Sequence, residues 1–151
     1  MRPDLIISGG QTGADQAALF AAEHLDIATG GWMPRGALTE EGPRPNLLFR
    51  FGLREHESAL YAPRTRQNVR DADGTVWFGT LGSPGYFCTS LAAQKQRKPF
   101  ERVTSSEQLR TFMHRYSIKT LNCAGNQASM NPGIYQFTYD LIVDAFQRPL
   151  F

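Results

Sequence analysis

The chain is poor in the residues that mark several common protein classes. Of its 151 residues only two are cysteine, Cys88 and Cys123, and they have no C-x-x-C spacing. That excludes a disulfide framework or a thiolate zinc cluster and fits two small buried thiols in a reducing compartment. His24, His56 and His114 are too far apart in the sequence for metal-ligand spacing, so no metal site is expected. Position suggests no Ser/His/Asp or Cys/His catalytic pairing. Excess charge is missing too: 16 Lys and Arg stand against 14 Asp and Glu, for a net +2. That balance argues against direct nucleic-acid binding or attraction to an anionic membrane, so any anion site must be local. No apolar run approaches the ~20 residues that span a bilayer. Leu5-Ile6-Ile7 is too short for a signal-peptide core. A soluble, cytoplasmic protein is expected.

What remains is ordinary globular material, 41% hydrophobic and 20% charged, without repeats or low-complexity stretches. The length fits a single domain spanning 1–151. Leu5-Ile6-Ile7 reads as a buried strand of a parallel sheet. A glycine loop follows, then an Ala-rich helix over 16–25. Strand, glycine loop, helix is the opening of a doubly wound α/β fold. Residues 30–62 are dense in Gly and Pro but carry Trp32, Phe49, Phe51 and Tyr61, and read as a structured lid or interface loop. A helix over 64–73 comes next, with Pro63 at its start, then a strand over 75–78. Later elements are a helix over 86–96, a strand over 99–103, a helix from the Ser105 cap to Tyr116, a strand over 118–122 and a last helix opening at Pro132 or Gly133. The expected fold is α/β, Rossmann-like and doubly wound, with a mostly parallel sheet of roughly five strands and helices on both faces. Three glycine loops follow strands and should converge where such sheets bind ligands, beyond the carboxyl ends of the strands.

The first loop, Gly9-Gly10-Gln11-Thr12-Gly13, joins residues that permit positive φ to the unpaired amides of a helix start, a combination suited to an oxyanion. It matches neither G-x-G-x-x-G nor the P-loop, which needs a Lys absent here. Thr12 could add a hydroxyl. Asp15 either complements the helix dipole or holds a ribose, a pterin or a metal. The plain alternative for the whole loop is a tight turn made for packing. Arg64 sits at a helix start, where cations are disfavoured, and suits a clamp on an oxyanion; Thr65 lies beside it. In the second loop, Gly82 and Ser83, with Thr89 one turn on, either cradle a ligand or simply cap a helix. Gly125 and Asn126 of the third loop could close the site. Homo-oligomers, dimer or tetramer, are expected from the apolar surface of the lid segment and of the last helix and terminus (Phe137, Tyr139, Phe146 and Phe151), with the core as the equal alternative place for those residues.

These residues resemble a known group. Gly9-Gly10-Gln11-Thr12-Gly13-Ala14-Asp15-Gln16 resembles the opening of proteins assigned as molybdenum cofactor carriers, YpsA-related members of the Rossmann-like SLOG superfamily that also holds the LOG nucleotide hydrolases and DprA-type proteins. Matches continue in order through Gly31-Trp32, Pro34, Gly36, Glu41-Gly42, Pro45, Tyr61, Arg64-Thr65, Asn68-Val69, Asp73, Thr75, Lys98-Pro99, Asn122, Ala124-Gly125 and Pro132-Gly133-Ile134-Tyr135, over almost the whole chain. The resemblance implies a carrier that holds molybdenum cofactor, a molybdopterin with a terminal phosphate. The alternative is a nucleotide, sensed or hydrolysed as a nucleoside 5′-monophosphate. LOG enzymes carry an Arg and then a Pro-Gly-Gly-x-Gly-Thr-x-x-Glu loop. Here the second loop reads Gly82-Ser83-Pro84-Gly85-Tyr86-Phe87-Cys88-Thr89-Ser90-Leu91, without that glutamate. N-glycosidic cleavage then lacks its main group, which favours binding over catalysis.

Overall fold

The computed structural model describes residues 2–149. The chain runs β1 (Leu5–Ile7), α1 (Ala14–His24), β2 (Ala28–Gly30), β3 (Trp32–Met33), β4 (Leu38–Thr39), β5 (Gly42–Pro43), α2 (Pro45–Phe51), β6 (Arg54–Glu55), α3 (Tyr61–Asp71), β7 (Gly74–Phe78), α4 (Pro84–Lys95), β8 (Phe100–Arg102), α5 (Ser106–Tyr116), β9 (Thr120–Gly125) and α6 (Ile134–Phe146). Five strands form one sheet in the order β2-β1-β9-β7-β8, and every pairing in it is parallel. The mostly parallel α/β architecture expected from the loop pattern is therefore present.

Counting from β9 as strand one, through β1, β2, β7 and β8, turns the sheet order into 3-2-1-4-5, the usual doubly wound arrangement. This chain supplies the central strand last. β1, β7 and β9 are neighbours, so the loops leaving them meet at one edge.

Side chains alternate across the central strands. Ile6, Val76, Phe78, Leu121 and Cys123 enter one large core with α1, α5 and α6, which contributes Ala18, Leu109, Phe112, Ile142 and Phe146 among others. α1 packs closely on α6 because small residues, Ala14, Ala18, Ala21 and Ala22, lie between them. The opposite face is covered by α3 and α4 through a much smaller core, Val69, Ala92 and Ala93 with Phe100. There the strands present Thr75, Trp77, Asn122 and Ala124, and Asn122 Nδ2 donates to Thr75 Oγ1 at 3.2 Å. The face is partly polar and incompletely filled, and the cavity lies there.

Residues 30–62 are more ordered than a loop. β3 pairs in parallel with β6, and β4 with β5 forms an antiparallel hairpin. Met33, Ala37, Leu47, Phe51 and Leu53 build a second core against Leu19 of α1. The Asn68 side-chain amide binds both the N–H and the C=O of Trp32, tying this segment to α3. Boundaries shift elsewhere. α3 begins at Tyr61, which puts Pro63 inside its first turn, and β9 runs on through Cys123, Ala124 and Gly125, expected to lie in a loop. Among the apolar residues expected to mediate association, Phe146 is core, Tyr139 packs against that core, Phe137 is exposed, and Phe151 lies outside the described residues. No helix among the described residues is long and apolar enough to cross a membrane.

Candidate functional site

A cavity of about 360 Å³ opens at the carboxyl edge of the sheet. The loop after β1 supplies Gly9 and Gln11 and the first turn of α1 supplies Asp15; β7 and β9 supply Trp77, Asn122, Ala124 and Gly125. The first turns of α3 and α4 close it with Tyr61, Ala62, Arg64, Thr65, Ser83, Pro84, Gly85, Cys88 and Thr89, and Asn126, Gln127 and Met130 form the remaining wall. Of the residues expected at a site, Gly9, Gln11, Asp15, Arg64, Thr65, Ser83, Thr89, Gly125 and Asn126 are thus brought together. Gly10, Thr12, Gly13 and Gly82 do not line the cavity. From the expected lid, only Tyr61 and Ala62 do, so 30–62 braces the site from the side.

The reason lies in where the first loop's polar groups go. The Gln11 N–H donates to Asp15 Oδ2 at 3.2 Å, and the Ala14 N–H donates to the Asn126 carbonyl at 3.2 Å. Thr12 Oγ1 accepts the Ala128 N–H at 3.1 Å and donates to Glu40 at the hairpin tip, which also takes the Ser129 hydroxyl and, at 3.2 Å, the Ser129 N–H. Those hydroxyls hold the Glu40 carboxyl below its ordinary range. Gly13 has φ +82, and a Cβ there would lie 2.5 Å from the Asn126 carbonyl oxygen. The amino-terminal end of α1 is therefore covered by the chain itself. Gly10, with φ +71, is likewise packed tightly, since a Cβ there would lie 2.9 Å from the Met33 side chain.

The start of the loop is different. A Cβ on Gly9 would sit 1.8 Å from Arg64 Nη1 and 2.9 Å from Asp15 Oδ2. Glycine is required there because two charged side chains press on the backbone. Arg64 Nη1 lies 3.8 Å from Asp15 Oδ2, with side-chain exposures of 13% and 6%. That separation is an ion pair but too long for a hydrogen bond. Arg64 Nε is buried with no partner among the described residues, and the guanidinium lies 5.5 Å from the Tyr61 ring centroid. Burial pushes the Asp15 carboxyl up to about 6, against the pull of Arg64 and the Gln11 N–H. Burial also lowers the Arg64 pKa, opposed by Asp15, Cys88 and Tyr61. Among the described residues Asp15 is the only carboxylate lining the cavity, and α4 brings none.

Two helix ends face the same space. α3 is preceded by Leu60, which provides no side-chain cap, and neither α3 nor α4 has an acid in its first turn. Ser83 caps α4 by accepting the Tyr86 N–H at 3.1 Å, while Pro84 has no N–H to offer. Ala62 and Gly85, in those first turns, line the cavity, so the positive ends of two helix dipoles lie beside the Arg64 guanidinium. Asn126 holds the walls in register. Its Oδ1 accepts from Thr80 N at 2.7 Å and from Asn131 Nδ2 at 3.1 Å, and its Nδ2 reaches Ser83 Oγ at 3.5 Å. A Cβ on Gly79 would meet Asn126 Oδ1 at 2.1 Å, so Gly79 is the unforeseen glycine that admits this side chain. Trp77, Tyr61 and Met130 were also not singled out for the site. Trp77 was readable only as strand, and strand position alone does not say which face opens on a cavity.

Residues 6–146 match the model of the circularly permutated YpsA SLOG family. The chain belongs to that family. In its sheet the last strand, β9, takes the central place. A solved structure from Syntrophus aciditrophicus, of a protein named provisionally as a molybdenum carrier, is 36% identical to this SLOG chain. It superposes with a TM-score of 0.87 and covers 97% of this chain and 96% of its own. No curated protein matches the chain.

Proposed function

We propose that this SLOG protein binds an anionic, phosphate-bearing small molecule in the cavity, with molybdenum cofactor as its cargo. The observation that carries the reading is Arg64: a mostly buried side chain whose Nε has no partner among the described residues, only loosely paired with Asp15, at the edge of a ligand-sized space. Burying such a cation is costly unless an anion completes its bonding. The cavity's 360 Å³ falls within the roughly 300–1,000 Å³ of small-molecule sites. In this reading Arg64 clamps the phosphate, the Ala62 and Gly85 amides and the Thr65, Ser83 and Thr89 hydroxyls add donors, and Trp77, Pro84 and Met130 offer apolar surface to the ring system. Gly9 contributes room for Arg64 instead of an amide cradle. The name of the Syntrophus relative supports molybdenum cofactor over other phosphate esters.

Calorimetry with molybdopterin and with nucleoside 5′-monophosphates tests this. Binding that Arg64→Ala strongly weakens is expected; a folded chain that binds neither ligand overturns it. Association of copies, as dimer or tetramer in the cytoplasm, belongs to the same proposal. It is supported by exposed Leu60, Leu81, Phe87, Leu91 and Met130 on or beside the elements that form the cavity. Sedimentation velocity showing only monomer at high concentration would refute that part.

A further inference from the structure

Asp15 is buried and Arg64 mostly so, both line the cavity, and they approach to 3.8 Å without a hydrogen bond. Few other charges face Asp15. From β1, Ser8 Oγ donates to its backbone carbonyl; from the loop, the Gln11 N–H holds Oδ2; from β9, Cys123 contributes a buried thiol whose pKa burial pushes far up. Tyr61 of α3 and Cys88 of α4 act on Arg64. Among the described residues Arg64 is therefore the one cation that favours the Asp15 carboxylate in this apolar surrounding. An anion bound to Arg64 takes that support away and adds a negative charge close to Asp15.

We propose that an anion entering this cavity takes Arg64 over from Asp15, and that Asp15 takes up one proton from solvent as it does so, making this a proton-linked anion site. The inference rests on the anion-binding reading of the cavity and adds its regulation. The protonated carboxyl is then a donor toward the bound oxyanion, where the carboxylate would repel it. An opposite charge within ~4–6 Å lowers a carboxyl pKa by roughly 1–3 units, so losing that influence gives a rise of about one unit or more. Burial already holds the Asp15 carboxyl up at about 6 without ligand, so a further rise carries it toward and past neutrality. Ligand is held more tightly as pH falls toward 6 and released as pH rises, with affinity changing up to about tenfold per pH unit between the free and bound pKa values.

Side-chain carboxyl carbon NMR of the labelled full chain tests the coupling. Sulfate is the probe, because it stays dianionic throughout, unlike a phosphate ester with its second ionisation near ~6. Chloride at matched ionic strength is the control, and Asp15→Asn assigns the resonance. We expect sulfate to raise the Asp15 titration midpoint by about one unit or more, and to move the Ala62 and Gly85 amides. In Asp15→Asn, sulfate affinity should no longer depend on pH through this range; the wild-type titration stands alone should that variant not fold. Sulfate that moves those amides while leaving the Asp15 midpoint in place overturns the coupling and leaves the cavity reading intact. Sulfate that moves no amide around the cavity overturns both.

Discussion

The amino-terminal turn of α1 and those of α3 and α4 lie at the same edge of the sheet, and the chain finishes them differently. α1 follows the glycine-rich loop that looks made for an anion. Yet the Gln11 N–H is held by Asp15, the Ala14 N–H by the Asn126 carbonyl, and the Thr12 hydroxyl by Glu40 and Ala128. α3 and α4 start without glycine-rich signatures of comparable strength. Their first turns hold no acid, and α3 places Arg64 where a cation is disfavoured. The difference teaches that a glycine loop permits anion binding, while the destination of each N–H and each charge decides it.

Four substitutions can break or sharpen this contrast. The largest effect is expected at the open end. Arg64→Ala removes charge-assisted bonds worth about 3 kcal/mol or more, so ligand affinity should fall on the order of 100-fold by calorimetry. The fold should survive, because the stranded Asp15 can protonate. Next is the covered end. Gly13→Ala forces a Cβ onto the Asn126 carbonyl at a positive φ. It should destabilise by about 3 kcal/mol, lowering Tm on the order of 10 °C, while the folded fraction binds ligand normally. Gly9→Ala should do the reverse, costing about tenfold in affinity with a smaller change in Tm, because the clash is with the movable end of Arg64. The smallest effect is Thr12→Val, which loses the Glu40 and Ala128 contacts: about 1–2 kcal/mol of stability by urea unfolding and no change in affinity.

Asp15 gives the contrast a pH signature. Its carboxyl is raised from 3.8 to about 6 in the fold, so the folded state holds the proton more tightly than the unfolded chain. Its contribution to stability is then fully favourable below pH 3.8, shrinks as pH rises, and is lost above about 6; the span corresponds to about 3 kcal/mol. Asp15→Asn should therefore raise Tm relative to wild type at pH 8 more than at pH 5, measured by calorimetry without ligand. An equal shift at both pH values would show that the buried carboxylate carries no such cost.

The parts legible in sequence were local. Leu5-Ile6-Ile7, the Ala-rich α1 and the Ser105 cap announce themselves through composition and spacing, and the loops after β1, β7 and β9 do meet at one edge. Arg64 was conspicuous because it violates the helix dipole. What was not legible is non-local. The strands within 30–62 are two residues long and carry no periodicity. The sealing of Thr12 by Glu40 and Ala128 joins residues far apart in the chain. The central place of β9 follows from topology, since nothing in Thr120–Gly125 marks it as the strand inserted between β1 and β7.

Crystals soaked in tungstate, a tetrahedral dianion located by its anomalous scattering, locate the anion site directly. The expected result is a single strong peak within hydrogen-bonding distance of Arg64 and the Ala62 and Gly85 amides. A peak against residues 10–13, or a cavity left without one at saturating tungstate, would contradict it.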